Sequence, residues 1–118
     1  MSSSVNATLQ RATALHSQGQ LGQAEKLYRD ILAQIPDHFD ALHLLGVIAL
    51  QTGHAQEAVE LIGRATAINR NHPAAHFHMG HALLGLHRDV EALASFERAL
   101  RLKPDYAEAL SNRGKVLF

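Results

Sequence analysis

Histidine dominates the reactive inventory of this 118-residue sequence. There are 9 in all, and five of them, His72, His76, His78, His81 and His87, crowd into one short stretch. His72 and His76 stand four apart; His78 and His81 stand three apart. On a helix either spacing brings two rings to one face. Neutral imidazole is a common metal ligand, and the ring titrates close to neutral pH. Two chemistries are therefore open, a shared metal and a proton-sensitive surface. Against the metal, no cysteine is available to complete a site, and the two pairs point to different faces of the helix. The sequence reading assigns no metal and no cofactor. It prefers a surface that senses mildly acidic pH through His78 and His81, taken as solvated groups.

Other reactive constellations are missing. There is no Gly-rich phosphate loop, no HExxH and no nucleophile elbow. Ser2–Ser4 reads as a tail, Ser95 falls in a helical segment, and the carboxylates occupy ordinary solvated positions, so no catalytic residue is assigned and an enzyme is not expected. Lys and Arg number 11 and balance the 11 Asp and Glu. That leaves no broad field for nucleic acid or an anionic membrane, and Arg98, Arg101 and Lys103 read as an exposed helix face. With 47% apolar and 19% charged residues the chain is ordinary globular material. The N-terminal residues lack a basic and an apolar segment, and the run from Leu44 to Leu50 falls far short of the ~20 residues of a membrane span. A soluble, cytoplasmic protein is expected, unless a leader has been removed.

The elements that carry the histidines are set by an internal repeat. At an offset of 34 residues, Ala24 aligns with Ala58 and Ala92, and Gly46 with Gly80 and Gly114. Pro36 falls on Pro104. Tyr28, Ile62 and Phe96 share one large apolar position. The frame divides the chain, as one domain, into units 5–38, 39–72 and 73–106 and a partial unit 107–118. Each unit splits into helix A (near 5–18, 39–52, 73–86 and 107–118) and helix B (near 21–34, 55–68 and 89–102), seven helices in all. Within 39–51, Leu42, Leu45, Ile48 and Ala49 follow steps of three and four, one apolar stripe. Gly19 and Gly53 suit the left-handed residue after helix A. Pro36 and Pro104 stop helix B, and Asp37 and Asp105 are positioned to cap the next helix. Gly46 and Gly80 lie inside helices, where each costs about 1 kcal/mol relative to alanine. A close approach of helix B would explain them, with Tyr28, Ile62 and Phe96 filling the gap between hairpins.

The period and the order of residues, Leu42-x-x-Leu45-Gly46-x-x-Ala49 then Ala58-x-x-x-Ile62, and Met79-Gly80-x-x-Leu83 then Ala92-x-x-x-Phe96 and Pro104, resemble the tetratricopeptide repeat. Unit 1 departs at Arg11-Ala12, unit 2 at Arg70 in place of the closing proline, and unit 3 at His87 in place of glycine. The resemblance implies an all-α, right-handed superhelical solenoid of about three and a half helix pairs. It also implies a protein-interaction scaffold whose A helices line a concave groove for a peptide or partner helix. By the family's frame, that groove is formed by Leu9, Thr13, His43, Leu44, Val47, Leu50, Phe77, His78, His81, Leu84, Asn112 and Lys115. Leu44, Val47, Leu50, Phe77 and Leu84 would make an apolar floor rimmed by His43, His78 and His81.

The segments 37–46 and 103–114 further resemble N-terminal repeats of large bacterial tetratricopeptide proteins, some of which carry domains like the O-linked N-acetylglucosamine transferases. A substrate-recruiting arm of such an enzyme is the alternative function. The asparagine ladder of those relatives is mostly missing, since its position holds Gln10, Leu44, His78 and Asn112. Finally, Leu110, Val116, Leu117 and Phe118 belong to a helix A without its helix B. The expectations are that the chain is a fragment and that this open end joins a second copy as a homo-oligomer or self-assembling scaffold.

Overall fold

A computed structural model describes residues 2–117, which form seven helices and, among the described residues, no strand. These are α1 (Ser2–Ser17), α2 (Leu21–Gln34), α3 (Phe39–Gln51), α4 (Ala55–Ile68), α5 (Pro73–Gly85), α6 (Asp89–Leu102) and α7 (Ala107–Leu117). Each helix packs on the next in chain order, and α3 also touches α5. The all-α stack read from the sequence is therefore present, drawn out to 46 × 26 × 22 Å.

The hairpin turns repeat in atomic detail. Gly19 and Gly53 hold φ of 78° and 82°, and His87 takes the same left-handed conformation at 59°. Just beyond them, Gln20, His54 and Arg88 donate their N–H groups to Leu15, Ala49 and Leu83 at 2.9, 2.7 and 2.9 Å. That six-to-one bond closes a Schellman end on each A helix. The geometry is retained at His87 without the glycine, at a steric cost.

The junctions between hairpins differ from the expectation in two ways. Asp37 and Asp105 are not the caps. His38 is the N-cap of α3, its Nδ1 accepting from the Ala41 N–H at 3.2 Å, and His72 serves α5 likewise from Ala75 at 3.3 Å. Both aspartates fall one residue too early, since Tyr106 immediately precedes α7. At the second junction Arg70 replaces the closing proline, yet α4 still ends at Ile68. There the Asn69 Oδ1 accepts from the Asn71 N–H at 3.0 Å and makes the turn.

The helical glycines have the packing reason sought for them: large residues of helix B press on helix A of the same hairpin, and Tyr28 and Ile62 also join core shared with the next hairpin. A Cβ on Gly46 would stand 2.6 Å from Ile62 Cγ1, and one on Gly80 2.6 Å from Phe96 Cε1. Ile62 and Phe96 thus lie over the bare backbone of their own helix A. Tyr28, Ile62 and Phe96 are completely buried, as are Ala24, Ala58 and Ala92. Around them runs a core in three contiguous clusters, one along each stretch of the stack.

Candidate functional site

The odd-numbered helices form one layer, and side chains link them laterally. His16 Nε2 donates to Gln51 Oε1 at 2.7 Å, tying α1 to α3, while its Nδ1 faces the Tyr28 hydroxyl at 3.3 Å. Burial, with a smaller contribution from the Asp40 charge, pushes the Tyr28 phenol up to about 12. It remains a neutral donor to the ring.

Between α3 and α5 the link is a pair of histidines. His43 Nε2 and His78 Nδ1 lie 3.0 Å apart, so one neutral ring donates and the other accepts. The His72 ring stands 5.3 Å from His43 and 5.0 Å from Phe39, and Phe39 stands 5.9 Å from His43. On the far side Phe77 meets His78 at 5.2 Å, stacks on His81 at 6.1 Å and on Tyr106 at 5.3 Å, and tilts against Phe96 at 6.0 Å. Lys103 Nζ caps the Tyr106 face at 5.0 Å. A continuous chain of rings therefore crosses the inner layer from the start of α3 to the start of α7.

This arrangement corrects the groove expected from the sequence. Phe77 is not floor but core, and His43 is not rim but buried. His78 is half-buried and engaged; only His81 among the expected rim is exposed. Leu9 and Leu44 are half-buried against the first core cluster, Leu50 against the third and Leu84 against the second. Thr13, Val47 and Asn112 are half-buried and Lys115 is exposed. Of the positions expected to line the groove, Thr13, Val47, His81, Asn112 and Lys115 stand outside the hydrophobic clusters. On α7, Leu110 is exposed and Val116 packs against the second cluster. Phe118 lies outside the described residues, as does the side chain of Leu117.

The proton-sensing expectation changes as well. Burial, followed by the charges of His78 and His72, drives the His43 ring down to about 3. Burial, then His81 and His72, lowers His78 to about 4, against the raising effect of a hydrogen bond from the ring to the Ala74 carbonyl. Neither ring titrates in the folded chain at mildly acidic pH. The other candidate metal pair is divided between separate tasks, with His72 capping α5 and His76 Nε2 donating to the Arg70 carbonyl at 2.7 Å. Among the described residues no three His, Asp or Glu side chains gather as a metal-ligating group.

Sequence reasoning placed His16 in the groove but passed over Phe39, His72 and Tyr106 as members of this site. For two of them a signal was available, since His38, His72 and Tyr106 occupy one position of the 34-residue frame. Among the described residues, no helix is long and apolar enough to cross a membrane.

Comparisons with known proteins agree with this architecture. A family model described as "Tetratricopeptide repeat" matches residues 15–84, and one described as "TPR repeat" matches 90–118. The mouse protein O-mannosyl-transferase TMTC1 is 29% identical over 109 residues, which are 89% of this chain and 12% of that protein. The structure of a Thermobaculum terrenum O-GlcNAc transferase mutant superimposes with a TM-score of 0.94 at 28% identity, over 98% of this chain and 22% of the other. The first TPR domain of Spaghetti (RPAP3), bound to an HSP90 peptide, gives a TM-score of 0.93 at 22% identity, over 98% of this chain and 92% of that one. The chain therefore spans only a small part of the mouse relative and of the bacterial transferase. It belongs to the tetratricopeptide repeat family and forms that family's all-α solenoid.

Proposed function

We propose that this tetratricopeptide repeat chain is a non-catalytic protein-interaction module that holds an extended peptide or a helix against the inner layer of α1, α3, α5 and α7. The observation that carries the reading is the set Val47, His81, Asn112 and Lys115, of which His81 and Lys115 are exposed and Val47 and Asn112 half-buried. Val47 belongs to none of the core clusters, and among the described residues the side chains of His81, Asn112 and Lys115 make no hydrogen bond or ion pair, so their mixed chemistry is available to a partner although one face of His81 rests on Phe77. Leu9, Thr13, Leu44, Leu50 and Leu84 lie half-buried beside them as apolar support. The TPR domain of RPAP3, similar in fold, is bound to a peptide, which supports the reading by likeness. A photo-crosslinking amino acid placed at Val47 or His81 should capture a partner. One placed at Val90, 84% exposed on α6 in the other layer, should not. Equal capture from all three positions would remove the groove from the proposal.

A second reading is favoured by two of the similar proteins, both sugar transferases by name. In it the module recruits acceptor proteins to an enzyme. Alanine at Val47, His81 and Lys115 would then lower transfer to protein acceptors while sparing a short acceptor peptide. Equal loss on both acceptors would contradict recruitment.

Self-association is the third, carried by α7. Leu110 is 41% exposed, and a Cβ on Gly114 meets nothing within 4 Å, in contrast to the filled notches at Gly46 and Gly80. A second copy supplying a large side chain to that notch would complete the pattern. Light scattering should show mass rising with concentration, and rising less for Leu110→Asp. A monomer at every concentration would rule the contact out.

A further inference from the structure

The outer layer carries a concavity separate from the inner wall. It opens over the junction of the second and third hairpins, between α4, the 69–72 turn and α6, with a volume of about 510 Å³. That is ample for a small organic ligand. Its charged lining is entirely basic: Arg70, Arg98 and Arg101, with His76 behind them, Thr66 at the side and Leu102 as apolar floor. Among the described residues, none of the three guanidiniums takes part in an ion pair, whereas Arg29, Arg88 and Arg113 all do.

The preceding junction of the same stack shows how these arginines come to be free. There Arg64 Nη2 donates to the Pro36 carbonyl at 3.0 Å, closing the corner. One repeat later the corresponding residues are Arg98 and Arg70. The Arg70 carbonyl is already taken by His76 Nε2 at 2.7 Å, and His76 occupies the position that Leu42 holds one repeat earlier. Arg98 does not make the bond its counterpart makes. Arg101 stands where the earlier repeat has Ala67, and Arg70 where it has a proline. Three substitutions relative to the preceding unit thus concentrate positive charge at one corner of a chain whose formal net charge is +0.

Three guanidiniums around a common cleft repel one another until an anion joins them. The planar fork of arginine matches the oxygens of a phosphate in bidentate fashion. The hydroxyl of Thr66 donates to the Gly63 carbonyl at 3.1 Å and adds no donor, so the arginines must carry the recognition. We propose that this corner is a binding site for a phosphoryl-bearing ligand, the phosphate held by Arg70, Arg98 and Arg101 and the remainder lying over Leu102. The site is independent of the inner groove.

The test is a titration of the full chain, followed by amide chemical shifts, with inorganic pyrophosphate, O-phospho-L-serine and serine as probes. Saturable shifts confined to residues 63–67, 70–76 and 98–102 are expected for the two phosphorylated probes and none for serine. Stronger binding of pyrophosphate would identify a free polyphosphate as the source; stronger binding of phosphoserine would identify a phosphorylated side chain. Arg98→Ala/Arg101→Ala should weaken binding at least tenfold, and Arg11→Ala, on α1, should leave it unchanged. Equal affinity in the double variant, or the same shifts from sodium chloride at matched ionic strength, would overturn the site. So would tighter binding of a single-stranded oligonucleotide with shifts spread across the whole surface.

Discussion

The His43–His78 pair makes the stability of the chain depend on pH in a way that can be worked out. In the unfolded chain both rings have the ordinary value of about 6.5. In the folded chain burial holds His43 at about 3 and His78 at about 4. Between those limits the unfolded chain binds two protons that the folded chain refuses. Stability therefore rises with pH across the window and falls on acidification. Well inside it the slope is about 2.7 kcal/mol per pH unit for two groups, and the accumulated loss from neutrality to pH 5 is about 4 kcal/mol. A small domain has only about 5–15 kcal/mol in total, so the repeat array should approach unfolding near pH 5. Urea denaturation followed by circular dichroism, at pH 7.5 and pH 5, measures the change. The comparison that isolates the pair is His43→Gln/His78→Gln, whose amides exchange a hydrogen bond without titrating. Its loss between the two pH values should be smaller than that of the native chain by about 4 kcal/mol. Carbon shifts of the two rings provide a check that does not depend on the variant, and should report neutral imidazole down to pH 5. A difference below about 1 kcal/mol, or rings that protonate in the folded chain near pH 6, would refute the reasoning.

Four further substitutions probe the backbone of the repeat. His87→Gly relieves a left-handed residue that costs about 1–2 kcal/mol, partly offset by the entropy of glycine. A net gain of about 0.5–1 kcal/mol in urea unfolding is expected, with Gly53→His losing a similar amount. Gly80→Ala drives a methyl into the buried Phe96 ring and should lose about 1–3 kcal/mol, despite the better helix propensity of alanine. Gly114→Ala meets open space and should be neutral or gain up to about 1 kcal/mol; reversal of that order in thermal unfolding would discredit the packing account.

The helices were legible because their signals are local and repeated. Glycine at 19 and 53, small residues at 24, 58 and 92, and large ones at 28, 62 and 96 each state one side of a contact, and the offset of 34 brings the sides into register. The notch under Phe96 could be anticipated from Gly80 alone, because a helical glycine needs a reason. That helix B of the same hairpin approaches it was also expected; which side chain of α6 fills it depends on the rotation of that helix about its axis. The caps illustrate a sharper limit. Asp37 is the better capping residue by type, but the chain turns one residue later, and the ring at His38 does the work instead.

The site was legible in its positions and misread in its environment. The groove positions named from the family frame range from buried (His43, Phe77) to exposed (His81, Lys115), and that exposure could not be inferred from the frame. Phe77 is buried because Tyr106, Phe96 and His81 close over it; Phe96 on α6 and Tyr106 just before α7 leave no trace in the spacing within α5. His43 and His78 look alike in sequence, as solvated imidazoles on successive A helices. What decides their chemistry is the 3.0 Å contact between them and the loss of water on forming it. The same logic explains the basic corner on the other layer. Arg98 appears as one more surface charge until His76, twenty-two residues earlier in the chain, is seen to occupy the carbonyl its counterpart binds. In both layers the features that distinguish this chain from a regular repeat come from a histidine satisfied by a neighbouring element, which frees or buries a group that the repeat pattern alone would have treated as ordinary.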